Sequence, residues 1–237
     1  MPDVVLSAAA LEGPAPDPAQ DPAQDPAPGR ALGAAAVVEL LAARLAAAPA
    51  PVAGPRLLLV DGRSGSGKTD LGGALGSRLG APVVHVEDLY PGWDGLAAAV
   101  GLLEREVLRP LRAGRVPHPP RWDWAAGRWG PRAPVPAAGT AGTVVVEGVG
   151  AGCTPVRPEL LVWVRAPTAV RRRRALARDG AAYAPHWRRW AAQEEELFAA
   201  HDVAAAADVV LDSDDVHDGG DVHDGRDGAV RWRVLRG

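Results

Sequence analysis

The stretch GRSGSGKTD, residues 62–70, restricts the fold of this chain more than any other part of it. It satisfies the spacing G-x-x-x-x-G-K-[ST], with Gly62, Gly67, Lys68 and Thr69 in the fixed places. It follows an apolar run, RLLLVDG (56–62), and opens a segment of helical character, 67–79. Strand, glycine-rich turn and helix in that order aim successive backbone N–H groups and the positive end of the helix dipole at one point, which makes a cradle for phosphate oxygens. Gly62, Ser64, Gly65, Ser66, Gly67, Lys68 and Thr69 are therefore the candidate nucleotide-binding residues. Lys68 would reach the outer phosphates and the Thr69 hydroxyl would coordinate Mg²⁺, so ATP and Mg²⁺ are the expected cofactors.

Such a turn needs a sheet to stand on. Short runs rich in valine or leucine at 56–62, 82–88, 143–148, 160–166 and 208–212 are the candidate strands. They are continuously apolar and do not alternate, as strands covered on both faces are. Helical segments at 33–47, 67–79, 95–112, 167–178 and 185–200 fall between and around them. The pattern predicts an α/β fold, a three-layer sandwich with a mostly parallel five-stranded sheet. With 237 residues, one domain over 31–212 is expected, flanked by tails.

The first tail, 1–30, carries a repeated Pro-Ala-Asp pattern with few large apolar side chains and is predicted to be a disordered leader. The second, 213–237, contains DVHDG twice within 214–228 and ends in the alternating VRWRVL. Its histidines and aspartates raise a metal site, but a glycine-spaced acidic run reads more simply as a solvated loop, and VRWRVL as a short edge strand. The net charge of −3 offers no global basic field, so no nucleic-acid partner is expected. The single cysteine, Cys153, cannot form an internal disulfide, and neither a charged-then-apolar leader nor a long apolar run is present. A cytoplasmic protein without a membrane partner is expected; homo-oligomerisation stays open.

Acids at the ends of the candidate strands add chemistry to the cradle. Glu87 and Asp88 close the second strand and Glu147 closes the third, on the carboxyl edge where open α/β sheets bind ligands. One carboxylate there can hold Mg²⁺, for which Glu147 and Asp88 join Thr69 as candidates, and another can take the proton of a hydroxyl attacking the γ-phosphate. A small molecule bearing a hydroxyl is the expected partner.

In order along the chain stand GRSGSGKT, EDLY, WDW, VVVEG and RRRRALARD. Over roughly residues 55–212 this ordered set resembles the uridine kinase-like branch of the P-loop kinases. The resemblance implies an ATP-dependent small-molecule kinase whose arginine-bearing helical lid spans about 171–186. It puts the catalytic base on Glu87, where the family has aspartate, with Asp88 next and Tyr90 as the motif's tyrosine. Both acids stay candidates for the base, Asp88 slightly ahead because a shorter side chain loses less rotamer freedom.

Trp122, Asp123 and Trp124 correspond to the family's nucleoside-binding segment and, with Tyr90, are the candidate substrate-binding residues. Gly127 stands where that segment has a base-reading histidine. A sugar, a cofactor precursor or an antibiotic therefore competes with a nucleoside as acceptor, and a nucleotide-binding regulatory protein without phosphotransfer is the reading from another class. Arg171, Arg174 and Arg178 share one helix face and match the lid arginines, whereas Arg172 and Arg173 point elsewhere, and Gly180 offers a flexible joint. In the last helix Trp187, Trp190, Ala191 and Leu197 are expected to pack on the sheet, and Glu194, Glu195 and Glu196 to form a solvated face.

Overall fold

The glycine-rich turn leaves the middle one of five parallel strands. The computed structural model describes residues 31–135, 142–213 and 232–236. In it the apolar runs form β2 (Arg56–Asp61), β3 (Val83–His85), β6 (Thr143–Glu147), β7 (Leu160–Arg165) and β8 (Val209–Asp212). These lie parallel in the order β8-β7-β2-β6-β3, with Leu58 of β2 opposite Val145 on one side and Leu160 on the other. Along β2, Leu57 and Leu59 enter one core while Leu58 and Val60 enter the other, which is why the run is apolar without a break.

Helices α1 (Ala34–Ala47) and α2 (Lys68–Leu79) cover one face through Val37, Leu41, Leu71 and Leu75. The other face is covered by α3 (Leu96–Leu103), α4 (Arg109–Arg112), α5 (Thr168–Tyr183) and α6 (Trp187–Ala200), with the short α7 (Val203–Ala206) leading into β8. The segment expected as one helix over 95–112 passes through a π turn at Glu104–Leu108. Pro110 follows directly and has no N–H to continue the helical ladder.

The sheet has seven strands where five were expected. β1 (Ala31–Leu32) and β9 (Trp232–Arg236) extend it antiparallel beyond β8, in the order β1-β9-β8. Of VRWRVL, the described residues 232–235 do return as a strand, yet β1 takes the edge outside it. Buried Trp232 anchors β9 beneath the glycine-rich turn, 3.5 Å from where a Cβ on Gly67 would stand. At the opposite edge β3 is shorter than the run 82–88, because its partner β6 ends at Glu147, opposite His85. The chain then turns through a 3₁₀ segment, Val86–Leu89. A separate hairpin pairs β4 (Trp122–Asp123) with β5 (Arg128–Trp129). The leader 1–30 and the DVHDG run 214–228 lie outside the described residues. Among the described residues no helix is long and apolar enough to cross a membrane.

Candidate active site

β2 ends in Asp61, which is fully buried and accepts the N–H groups of Gly62 (2.7 Å), Gly150 (2.9 Å) and Gly152 (2.8 Å). Burial pushes its pKa up to about 6, the three N–H bonds and Lys68 opposing. The carboxylate thereby ties the glycine-rich turn to the loop after β6. Two glycines of the turn tolerate no side chain. Gly62 and Gly65 hold φ of +147° and +79°, and a Cβ on either would come within 2.1 Å of a carbonyl oxygen, that of Val164 or of Arg171. Lys68 opens α2, almost fully buried, with Nζ donating 3.0 Å to the Arg63 carbonyl. Burial depresses its pKa, and Glu147 is the strongest influence restoring the charge. No side chain caps the helix at Gly67, so the first-turn N–H groups remain for another acceptor.

Glu147 stands one strand away, opposite Val60. Its Oε2 accepts the Thr69 hydroxyl at 3.2 Å and its Oε1 lies 2.5 Å from His85 Nδ1 on β3. That bond raises the His85 pKa. Gly72 on α2 leaves the room, since a Cβ there would lie 2.9 Å from Glu147 Cγ. His85 was not singled out from sequence, because its meeting with Glu147 depends on strand register.

A cavity of about 730 Å³ is lined by Ser64, Gly65, Gly67, Lys68, Thr69, Glu87 and Glu147. Tyr90, Trp93, Trp124, Tyr183 and Trp190 give it an aromatic wall. Tyr90 donates its hydroxyl to the Val149 carbonyl at 3.0 Å and meets Trp190 edge-on, while Trp93 stacks on Tyr183. Trp93 and Tyr183 were missed in the sequence, and Trp190 was expected chiefly to pack on the sheet. Of the expected substrate residues, Trp124 and Tyr90 line the cavity but Trp122 and Asp123 do not. Trp122 meets Trp129 across the hairpin and Asp123 accepts the N–H groups of Ala125 and Ala126, so both serve that hairpin. Gly127 is at its exposed tip.

The two adjacent acids separate. Glu87 faces the cavity, where partial desolvation raises its pKa and Arg178 opposes the rise. Asp88 turns away to an ion pair with Arg121, 2.6 Å. Neighbours in a 3₁₀ turn project about 120° apart, so the two carboxylates point in different directions, and Glu87 is the one that lines the cavity.

The arginines separate as well. Arg174 and Arg178 line the cavity and Arg171 does not. Arg174 is held by the Ser213 hydroxyl (3.0 Å) and carbonyl (2.6 Å), and the same hydroxyl donates to the Ser66 carbonyl at 2.5 Å. Arg178 pairs with Asp179. Arg171 is 1 % exposed and donates to Ala166 and Thr168, so it is fixed inside the protein and not presented to the cavity. Arg172 and Arg173 are exposed. α5 breaks at Gly180, whose φ of 53° and ψ of −131° leave the helix. Glu194 reverses the expected solvated face, being 1 % exposed, whereas Glu195 and Glu196 are exposed.

Solved structures share this fold. A protein from Bacillus stearothermophilus described as a possible uridine kinase matches 73% of this chain and 96% of its own length, with 21% identity and a TM-score of 0.51. A protein from Silicibacter sp. TM1040 assigned as a fructose transport system kinase matches 74% and 96%, with 19% identity and a TM-score of 0.50. The chain has the uridine kinase-like P-loop kinase fold. No family model and no curated protein matches it. Within that fold the glycine-rich turn is the P-loop, and the cavity opens beside it at the carboxyl ends of the strands, as in other open α/β sheets.

Proposed function

We propose that the protein is a cytoplasmic, ATP-dependent kinase that transfers the γ-phosphoryl group of ATP to the hydroxyl of a small molecule. The observation that carries this reading is one cavity lined together by the P-loop, an aromatic wall, Glu87, Arg174 and Arg178. The site fits Mg²⁺ and ATP: the glycine turn is too close to neighbouring carbonyls for side chains, and Thr69 with Glu147 forms a hard-oxygen pair suited to Mg²⁺. Bound there, Mg²⁺ and ATP would supply the transferable phosphoryl group with its charge neutralised.

The chain's own residues then divide the work. The amides of Gly65, Gly67, Lys68 and Thr69 and the Lys68 ammonium would hold the phosphates, and Thr69 with Glu147 would hold the metal. His85, with Nδ1 2.5 Å from Glu147 Oε1, keeps that carboxylate turned toward Thr69. Glu87 accepts the proton of the attacking hydroxyl, and Arg174 and Arg178 offset negative charge on the moving group. The indole and phenol rings bind the flat or apolar part of the acceptor and keep water from the reacting atoms. A nucleoside fits such a wall. The exposed place of Gly127 favours a second reading, an acceptor such as a sugar, a cofactor precursor or an antibiotic, since no imidazole stands there to read a base.

ADP release measured across nucleosides, sugars and amino alcohols tests the proposal. At least one acceptor is expected to raise release above the basal rate, and Lys68→Ala to abolish the rise. The proposal fails if no acceptor does so and Lys68→Ala binds ATP as well as the parent. Among the arginines, Arg174→Ala is expected to lower turnover roughly tenfold to 100-fold and Arg172→Ala by less than about twofold, because Arg174 alone of the two lines the cavity. Equal effects in the same assay would remove Arg174 from the phosphate site.

A further inference from the structure

The Ser64 peptide, in the P-loop, is held at both ends by one buried pair of charges. Its N–H donates 2.8 Å to Glu194 Oε1, and its carbonyl accepts from Arg171 Nη1 at 3.4 Å. Arg171 and Glu194 are each 1 % exposed and stand 4.0 Å apart. The same Glu194 oxygen also accepts Trp190 Nε1 at 3.0 Å. Trp190 and Ser64 both line the cavity, one in its aromatic wall and the other in the P-loop. One residue further along α6, Glu195 pairs with Arg63 at 2.7 Å, so two successive acids grip two successive P-loop residues.

We infer that Glu194 is a positioning residue that locks the phosphate loop to the acceptor wall, making Trp190, Glu194 and Ser64 one mechanical unit. An isolated carboxylate this deep would be strongly unfavourable, and here it is compensated by two N–H donors and a guanidinium. Because both N–H donors meet a single oxygen, the wall cannot shift without moving the loop. The Ser64 amide is occupied by Glu194 and the Ser66 amide by the Arg63 carbonyl at 3.2 Å, which leaves those of Gly65, Gly67, Lys68 and Thr69 for phosphate. The consequence for ATP rests on the kinase reading above.

Two measurements on the full chain test the inference. The first is calorimetric titration with Mg²⁺ and ATP of the parent, Glu194→Ala, Glu194→Gln, Trp190→Phe and the Glu194→Ala/Trp190→Phe double variant. The second is hydrogen exchange of the segment 62–70 without nucleotide. Glu194→Ala is expected to weaken ATP binding about tenfold and to speed exchange in 62–70, since a buried N–H loses its acceptor. Glu194→Gln keeps an oxygen in the Oε1 position and is expected to stay within about threefold of the parent. Trp190→Phe keeps the ring but loses the donor, and the double variant should be no weaker than Glu194→Ala alone, the non-additivity of one shared unit.

The inference is overturned if the two substitutions add, if Glu194→Gln matches Glu194→Ala, or if exchange in 62–70 is unchanged. A purely structural role for Glu194 would instead lower the melting temperature and leave ATP affinity untouched. If the parent itself fails to bind ATP, the kinase reading falls, while the exchange measurement still decides whether Glu194 holds the loop.

Discussion

Glu87→Gln is expected to lower kcat by about 10²- to 10⁴-fold, the range for removing a positioned general base. Asp88→Asn is expected to stay within about threefold, because general-base catalysis requires a group within reach of the proton, and Asp88 is paired with Arg121 instead. The geometry of the 3₁₀ turn at Val86–Leu89 forces this contrast, since it presents one of two adjacent acids to the cavity. The pH profile adds an independent sign. Partial desolvation raises the Glu87 pKa, and a base works only when ionised, so activity rises with pH through that raised pKa and the acid limb lies above the ordinary glutamate range. In Glu87→Gln that limb should vanish from the residual rate. A large loss in Asp88→Asn with an intact limb in Glu87→Gln would return the role to Asp88. Either substitution leaves the P-loop in place, so ATP binding by calorimetry should remain near the parent's and separates loss of chemistry from loss of fold.

The P-loop was legible because its chemistry depends on neighbours in sequence: Gly62 and Gly65 are needed where the backbone itself turns. The buried parallel strands were legible because a strand covered on both faces has nowhere to put a polar side chain, as the two cores meeting along β2 show. What stayed hidden depends on partners distant in sequence. His85 meets Glu147 through the register of β3 on β6, across 62 residues. Glu194, in a run of three acids on an amphipathic helix, could not be told from its neighbours without knowing that the P-loop lies 130 residues away against that turn. β1 has two residues, too few for any periodicity to register. The aromatic wall was half seen for a similar reason. Trp122 lies in β4 while Trp124 falls in the turn after it, where the strand's alternation no longer applies, so the two do not share a face and only Trp124 lines the cavity.

Arg171→Ala is expected to destabilise the protein by roughly 3–5 kcal/mol, because it strands the Glu194 carboxylate in the interior. The guanidinium does more than pair: it donates to the Ala166 carbonyl at 3.0 Å and to Thr168 Oγ1 at 3.0 Å, and it stands 6.0 Å from the centre of the Trp187 ring. For a domain of this size that loss corresponds to a fall in melting temperature of roughly 6–20 °C, measured by thermal unfolding. Arg178→Ala serves as the control, since its side chain is half exposed and pairs with Asp179; surface pairs contribute about 0–1 kcal/mol. The double variant Arg171→Met/Glu194→Leu should be more stable than Arg171→Ala, because replacing both charges leaves neither uncompensated. Three arginines spaced alike on one helix thus have separable roles, and stability measured beside turnover distinguishes them. Arg174→Ala should lose turnover with a small change in melting temperature, and Arg171→Ala should lose stability first. If Arg171→Ala instead melts within a few degrees of the parent while turnover collapses, its guanidinium belongs with the phosphate-facing pair and the buried ion pair is not what holds Ser64.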